Sequence, residues 1–162
     1  MLLLKLNRMA EAAEQFRTVL GYRKRHQLAY LGLAQALWKL GDFDDAEAEF
    51  QMASQCARDN HKPQKIVFTS QGWFYVDRKR WRDAMAAFEK ARDEDPSYFG
   101  NYWGIGHALM GLGDYNGAVA SLQRALEEPS LQPAASVEIP ELLAECLRKR
   151  SEANDAGNSP AH

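Results

Sequence analysis

A small residue recurs at a nearly fixed interval along this chain, and the interval restricts the fold more than any other feature of the sequence. Ala12, Ala46, Ala84 and Ala118 are separated by 34, 38 and 34 residues. A period of this length is too short for a domain. It is typical of a structural unit that buries its apolar surface only against neighbouring copies of itself. The chain is therefore expected to fold as a repeat array.

The clearest copy runs from Tyr102 to Ala125 and is predicted to form two helices joined by a tight turn. Apolar residues recur at helical spacing in both halves. Gly113 stands where a helix end takes a left-handed residue, and Asp114 is a suitable N-cap for the next helix. The copy is therefore predicted to be a helical hairpin, with small residues that allow its two helices to cross closely.

The other copies carry the same large, small and aromatic positions. In the second helices, the residues four and seven positions after each alanine are Phe16, Phe50, Phe88 and Leu122, then Val19, Ala53, Ala91 and Ala125. In the first helices, Tyr102, Ile105, Gly106 and Leu109 match Tyr30, Leu33, Ala34 and Leu37 and, more loosely, Phe68, Gln71, Gly72 and Tyr75. On these residues the chain resembles the tetratricopeptide repeat family, whose unit is a helix-turn-helix of about 34 residues. The resemblance covers about residues 1 to 132 and implies an all-α fold, a right-handed superhelical solenoid of antiparallel helix-turn-helix repeats.

The resemblance gives one repeat domain at residues 1–151 and a disordered tail at 152–162. The domain comprises a partial repeat at 1–22, repeats at about 27–60, 65–98 and 99–132, and a capping helix at about 137–151. We expect residues 1–6 to be the last turns of a first helix, with Asn7 as a left-handed cap before a second helix at 9–20. A half hairpin of this kind favours a fragment of a longer array; the alternative is that a second copy of the chain covers this end.

Two departures from the family pattern are expected to alter the repeats. The interval of 38 residues indicates a four-residue insertion near residues 60–64. Lys79 stands where Gly41 and Gly113 stand in the other turns, and a left-handed non-glycine residue costs roughly 1 to 2 kcal/mol. A different turn geometry is therefore an alternative there. Trp81 is expected to fill the interior position that Phe43 and Tyr115 fill in the other copies.

The composition is that of an ordinary globular protein and favours no charged partner. The chain is 46% hydrophobic and 26% charged, with a net charge of −2. Nothing in this balance favours nucleic acid, and the basic residues 23–25 lack the interleaved aromatics of a nucleic-acid contact, so we interpret them as a solvated loop. The initial run MLLL is too short to span a membrane, and a cytoplasmic location is expected. Cys56 and Cys146 are expected to be buried thiols.

No catalytic or metal-binding pattern is found in the sequence. The glycines between residues 100 and 113 are spread along a predicted helix and do not follow a strand, so they do not form a phosphate loop. His61 has no second ligand at metal spacing, and His107 has no assignable nucleophile or carboxylate. We therefore predict a protein that is not an enzyme and needs no cofactor.

The resemblance implies that the first helices of the repeats line a concave groove that binds peptides. Twelve residues occupy the corresponding positions here: Leu28, Leu31, Gln35, Trp38, Lys39, Ile66, Thr69, Trp73, Asp77, Trp103, His107 and Met110. These positions are expected to lie outside the core. Tryptophan on an open wall indicates a contact for an apolar or aromatic peptide rather than an acidic tail. The alternative is that these tryptophans pack between neighbouring helices, or are covered by the terminal helix or by another subunit.

The predicted function is an adaptor or scaffold that binds a segment of a partner protein, without nucleic acid or membrane insertion. The family also includes a carboxylate clamp that binds chaperone tails through Lys, Asn and Arg. Here Leu31, Gln35, Ser70, Gly100 and Gly104 occupy the clamp positions, so that activity is not expected. The alternatives are a chaperone like those of type III secretion, which holds an apolar client, and homo-oligomeric self-assembly through the exposed ends of the solenoid.

Overall fold

The computed structural model describes the backbone of residues 2–157 and the side chains of residues 5–155. Over this range the chain forms eight helices and no strand. The helices are α1 (Leu2–Tyr22), α2 (Gln27–Leu40), α3 (Phe43–Asp59), α4 (Lys65–Asp77), α5 (Trp81–Glu94), α6 (Phe99–Leu112), α7 (Tyr115–Glu127) and α8 (Ala135–Gly157). The prediction of an all-α fold is confirmed.

The helices are grouped in two compact units, with the boundary inside α4. Unit 1 comprises residues 1–71 and unit 2 comprises residues 72–162. In unit 1, α2 packs against both α1 and α3. In unit 2, α6 packs against α5 and α7, and α8 packs against α7. Each of these helices thus contacts its neighbours along the chain, as expected for hairpins joined by short turns.

The turns inside the three complete hairpins share one conformation. Gly41 and Gly113 have positive φ angles of 92° and 82°, and each N–H donates to the carbonyl three residues earlier at 3.1 Å. Lys79 adopts the same left-handed conformation with a φ of 55°, and its N–H makes the same bond at 2.9 Å. The turn without glycine therefore has the same geometry as the other two. Its lysine adopts the left-handed conformation in spite of the free-energy cost of that conformation for a non-glycine residue.

Glycines on the first helices allow aromatic rings of the second helices to approach the backbone. In unit 2 the ring of Phe88, which is fully buried, lies over both Gly72 and Gly104. A Cβ atom on these two glycines would come within 2.6 Å and 2.3 Å of that ring. In unit 1 the ring of Phe16 lies over Gly32 in the same way, also at 2.3 Å. The small residues of the pattern are thus contact points for the large ones.

The N-terminal helix corrects one prediction. α1 runs without interruption from Leu2 to Tyr22, so the expected cap at Asn7 is wrong. Asn7 does not adopt a positive φ, and its side-chain amide donates to the Glu11 carboxylate one turn later at 2.8 Å. Without a glycine to favour the left-handed conformation, a continuous helix keeps its backbone hydrogen bonds and is preferred.

The insertion lengthens a helix as well as a loop. α3 has 17 residues, whereas α5 and α7 have 14 and 13. Since a helical turn takes 3.6 residues, the insertion adds about one turn to α3. The helix ends at Asp59, and His61 in the loop that follows has a positive φ of 50°.

The C-terminal helix is longer at both ends than predicted. α8 starts at Ala135, contains Pro140 and continues to Gly157, so the expected disorder of residues 152–157 is wrong. Ion pairs one turn apart, Arg148 with Glu152 at 2.6 Å and Lys149 with Glu145 at 2.9 Å, support its exposed later turns. The rest of the predicted tail, residues 158–162, lies outside the described residues.

Candidate functional site

The twelve predicted peptide-binding residues lie on α2, α4 and α6 and fall into two sets. The set in unit 1 consists of Leu28, Leu31, Gln35, Trp38, Lys39, Ile66 and Thr69. The set in unit 2 consists of Trp73, Asp77, Trp103, His107 and Met110. Peptide binding by these residues stays a prediction, and their surroundings decide which of them a ligand could reach.

Some of the unit 1 residues serve the fold. Leu31 is only 5% exposed, so the expectation that its position lies outside the core is wrong. The Thr69 hydroxyl donates to the Lys65 carbonyl at 2.9 Å, a bond made within its own helix. The Gln35 amide donates to the Ser70 hydroxyl at 3.0 Å and thereby joins α2 to the first half of α4. These three residues therefore have roles in the fold that require no ligand.

An apolar cavity of about 400 Å³ lies between α1 and α2 in unit 1, and we call it the α1–α2 cavity. It is lined by Met9, Ala12, Phe16, Gly32, Gln35, Ala36, Trp38 and Lys39. Trp38 is half-buried, and the Lys39 ammonium lies 4.0 Å from the centre of its ring, a cation–π distance. Three of the predicted residues therefore meet here around an open, mostly apolar wall.

A second cavity in unit 1, of about 350 Å³, lies at the N-terminal ends of α2 and α4, and we call it the basic cavity. It is lined by Arg25, His26, Gln27, Leu28, Asn60, Lys62, Pro63, Lys65 and Ile66. Leu28 and Ile66 are 58% and 56% exposed. The sequence interpretation treated the loop before α2 as solvated and did not single out Lys62 or Lys65. The available signal was the pair of aliphatic residues at one repeat position, Leu28 and Ile66, each with basic residues shortly before it in the sequence.

In unit 2 the predicted aromatic residues pack against one another. The ring of Trp73 lies edge-on to Phe88, Trp103 and His107, with centroid distances of 5.2, 4.9 and 5.4 Å. We call these four residues the aromatic cluster. Such edge-to-face contacts add about 0.5 to 1.5 kcal/mol per pair beyond the buried area. The cluster matches the alternative that the tryptophans pack between neighbouring helices.

The interior of unit 2 continues from the aromatic cluster toward α8. Trp103 stacks on buried Phe99, with a centroid distance of 6.3 Å and an angle of 18° between the rings. Trp103 and Met110 also pack against a core that includes Ile139 and Cys146 of α8. Among the described residues, the buried Trp103 Nε1 has no hydrogen-bond partner. These residues are therefore held by the fold from several sides.

The charged and polar members of the unit 2 set differ in burial. Asp77 is exposed at the end of α4. His107 is half-buried in the aromatic cluster, and burial lowers its pKa below the ordinary value of 6.5, while the Glu145 carboxylate of α8 acts in the opposite direction. Burial favours the neutral imidazole because a charged ring would lose its hydration.

Other chemistry finds little support in the part of the chain that the structure describes. Residues 5–155 contain no group of three or more His, Cys, Asp or Glu side chains arranged to hold a metal ion. Burial raises the pKa of the Cys56 and Cys146 thiols, which disfavours the reactive thiolate. No helix described here combines the length and the apolar character needed to cross a membrane.

Comparison with known families shows what the two units have in common. Models of the family described as tetratricopeptide repeat match residues 1–61 and residues 75–136, which together make up more than half of the chain. The chain belongs to the tetratricopeptide repeat family. No curated protein matches it significantly in sequence. Both the family and the fold of this tetratricopeptide repeat protein support a protein–protein interaction module in general.

Solved tetratricopeptide structures resemble the chain over most of its length. YrrB aligns with a TM-score of 0.70 at 22% identity, covering 90% of this chain and 71% of YrrB. TTC0263, a protein of Thermus thermophilus, gives 0.71 at 18%, covering 87% and 76%. MamA from Desulfovibrio magneticus RS-1, residue 41 to its end, gives 0.70 at 18%, covering 96% and 91%. At such identities the likeness concerns the fold alone.

Proposed function

We propose that this tetratricopeptide repeat protein is a non-catalytic adaptor that binds an apolar or aromatic peptide segment of a partner, with the α1–α2 cavity as its main contact. The observation that carries the proposal is this cavity, in which Trp38, Gln35 and Lys39 border an apolar wall. Its volume of about 400 Å³ falls in the usual range for ligand pockets, about 300 to 1,000 Å³. YrrB, similar in fold, is described as having an unusual peptide-binding site, which supports peptide binding as a use of this fold.

The chemistry of the α1–α2 cavity favours a large apolar side chain. The apolar surface of the cavity comes from the flexible side chain of Met9 and the rings of Phe16 and Trp38. The Lys39 ammonium lies beside the indole and can contact a polar group of the ligand at the edge of the cavity. Burying about 100 Å² of apolar surface gives a gross gain of about 2.5 kcal/mol. Since association has costs of several kcal/mol, one such contact predicts weak binding unless the partner makes further contacts.

In unit 2 the proposal assigns Trp73 and Trp103 mainly to stability. Their rings contact each other, and the Trp73 ring also contacts Phe88, so a ligand would have to compete with contacts that already exist. Met110 packs against the α8 core and is equally occupied. The peptide is therefore expected to depend on unit 1 more than on the tryptophan-rich unit 2.

The test is the affinity of labelled probe peptides that carry phenylalanine and leucine at helical spacing, measured by fluorescence anisotropy. Trp38→Ala is expected to weaken binding about fivefold or more, because it removes the largest apolar surface of the cavity. Tyr22→Ala is the matched control, since Tyr22 is an aromatic of the same unit that is 88% exposed and does not line the cavity. Its affinity should change less than about twofold.

Two results would contradict the proposal. Equal affinities for wild type and Trp38→Ala, with both folded by circular dichroism, would place the peptide elsewhere. A stable dimer in light scattering, with Trp38 protected from a fluorescence quencher, would favour self-assembly over peptide binding. Trp38 is the only tryptophan of unit 1, so its signal can be assigned by comparison with Trp38→Phe.

A further inference from the structure

We propose that the basic cavity of unit 1 is a second binding site, for an acidic peptide segment that carries an aliphatic side chain. The site is separate from the α1–α2 cavity: no residue lines both. The inference rests on the proposed function only in that the ligand is again a segment of a protein. It goes beyond that function because it requires negative charge in the ligand, which the α1–α2 cavity does not.

The lining of the basic cavity contains basic residues and no acidic residue. Arg25, Lys62 and Lys65 contribute to it together with His26, and no Asp or Glu lines it. Among the described side chains, Arg25 and Lys62 have no ion-pair partner. Excess positive charge in one small cavity of a chain with net charge −2 is a local feature, and it attracts carboxylates.

The nearest acidic residue along the chain lies outside the cavity lining. Asp59, at the end of α3, accepts a hydrogen bond of 2.6 Å from the Gln55 amide on its own helix. It is not part of the cavity lining. A ligand carboxylate would therefore meet Arg25 and Lys62 without having to displace a carboxylate of the protein.

The same cavity has an apolar floor that charge alone does not explain. Leu28 and Ile66 are more than half exposed and line the cavity together with Pro63. Covering two exposed aliphatic side chains is favourable at about 25 cal/mol per Å². The volume of about 350 Å³ is at the small end of ligand pockets and suits one or two side chains rather than a whole helix. These features select an extended acidic segment with a leucine-like side chain.

The walls of the basic cavity are joined before any ligand arrives. The Gln27 amide donates to the Pro63 carbonyl at 2.9 Å, which links the start of α2 to the loop before α4. His26 Nδ1 accepts from the Ala29 N–H at 3.1 Å and caps α2, and the Asn60 amide donates to the Cys56 carbonyl at 2.8 Å at the end of α3. A preformed site loses little entropy on binding, so weak contacts suffice for measurable affinity.

A peptide fits this cavity better than a nucleic acid does. No tryptophan, tyrosine or phenylalanine lines it, so it offers no platform for base stacking. Its cations surround a small apolar floor and do not form an extended stripe that could follow a phosphate backbone. Carboxylates next to an aliphatic side chain match both features.

The experiment uses the full chain and a labelled peptide of alternating glutamate and leucine, with fluorescence anisotropy as the readout. Saturable binding that weakens with added salt is expected, because ion pairs with exposed cations are screened. The double substitution Arg25→Gln with Lys62→Gln should weaken binding about tenfold or more. Arg23→Gln is the matched control, since Arg23 belongs to the same loop but does not line the cavity, and its effect should stay below about twofold.

Two control peptides test the two halves of the proposed chemistry. Replacing glutamate with glutamine, or leucine with alanine, should each weaken binding about fivefold or more. Equal binding of either control peptide would overturn the proposal, as would equal binding by the double variant or no saturable binding at millimolar peptide. Both variants change exposed side chains, so circular dichroism should show an unchanged fold.

Trp38→Ala separates this inference from the proposed function. The variant should bind the acidic peptide with wild-type affinity while losing affinity for the phenylalanine and leucine probe. If the aromatic probe fails to bind wild type and the acidic peptide still binds, only the proposed function fails. If Trp38→Ala alone abolishes binding of the acidic peptide, that ligand occupies the α1–α2 cavity and the inference is wrong.

Discussion

The two units use their apolar residues differently. In unit 1 the exposed large apolar residues are Val19, Tyr22, Leu28, Met52 and Ile66, and in unit 2 they are Leu112, Val137 and Leu147. Both cavities described above lie in unit 1, whereas Trp73 and Trp103 of unit 2 contact each other. The difference teaches that aromatic content does not mark an open surface in a repeat array. The lack of a neighbouring helix that covers the surface does.

Equivalent repeat positions show this coverage directly. On α3, α5 and α7 the two alanine or small positions and the large position of the repeat are all 0% exposed: Ala46, Phe50, Ala53, Ala84, Phe88, Ala91, Ala118, Leu122 and Ala125. On α1 the equivalent Phe16 is half-buried, Ala12 is also only partly buried, and Val19 is 38% exposed. The sequence pattern is nearly the same, and the packing around it is not. Ala12 and Phe16 border the α1–α2 cavity, together with Met9 of the same helix.

The largest expected difference is between α1 of unit 1 and α5 of unit 2, in the stability cost of deleting the equivalent phenylalanine. Phe88→Ala should lower the free energy of unfolding by about 3 to 5 kcal/mol, because a fully buried ring leaves a cavity. Phe16→Ala should cost only about 1 to 2 kcal/mol, because its ring is half-buried and loses less contact area. Urea unfolding followed by circular dichroism measures both. Equal costs would show that α1 is packed as tightly as α5, against the comparison drawn here.

A smaller difference lies in the turns. The turn of the complete hairpin in unit 1 has Gly41, whereas the first turn of unit 2 has Lys79 in the same left-handed conformation. Lys79→Gly should raise the free energy of unfolding by about 0.5 to 1 kcal/mol, since relief of left-handed strain exceeds the entropy that glycine adds to the unfolded chain. Thermal unfolding is the measurement, with Gly113→Ala as the reciprocal control that should destabilise by about 1 kcal/mol. An unchanged or lower midpoint for Lys79→Gly would mean that the lysine is not strained.

The smallest expected effect is a pH dependence that belongs to unit 2. His107 has a lowered pKa in the folded state because it is buried, so the unfolded chain binds more protons as the pH falls below about 6.5. As the pH falls, His107 therefore lowers the free energy of unfolding between its pKa in the unfolded chain and its lower pKa in the folded protein. Below the folded pKa, the contribution of His107 no longer changes with pH. His107→Gln should reduce the proton uptake on unfolding over this window by less than one proton. Identical slopes of stability against pH for wild type and His107→Gln, from urea titrations between pH 7 and pH 5, would contradict burial of this imidazole.

Most of the fold could be predicted from the sequence because the repeat interval and the turn residues are local signals. Gly41 and Gly113 end α2 and α6 in the left-handed conformation that the sequence predicts. The break at Asn7 was predicted wrongly because it rested on the family pattern, and no glycine or proline enforces a turn there. The longer α8 was missed because pairs such as Arg148 with Glu152 stabilise a polar helix that has no apolar periodicity to reveal it.

The candidate site was less predictable because exposure depends on neighbouring helices that one repeat does not encode. Position equivalence placed Leu31 on an open wall, yet packing buries it. The contact between Trp73 and Trp103 matches the alternative that these tryptophans pack between helices, which the sequence alone could not decide. The basic cavity joins residues of the loop before α2 with residues about 40 positions later. These basic residues stand at the starts of two helices that are far apart along the chain. The sequence alone therefore does not show that they line one cavity.

The most direct test of the central claim is a two-dimensional NMR spectrum of the indole N–H groups during titration with the phenylalanine and leucine probe. The chain has four tryptophans, so four indole signals are expected, and single Trp→Phe variants assign them. We predict that the Trp38 signal shifts with saturating peptide while the signals of Trp73 and Trp103 stay in place. Shifts of Trp73 and Trp103 with an unchanged Trp38 signal would contradict the account and place the binding surface in unit 2.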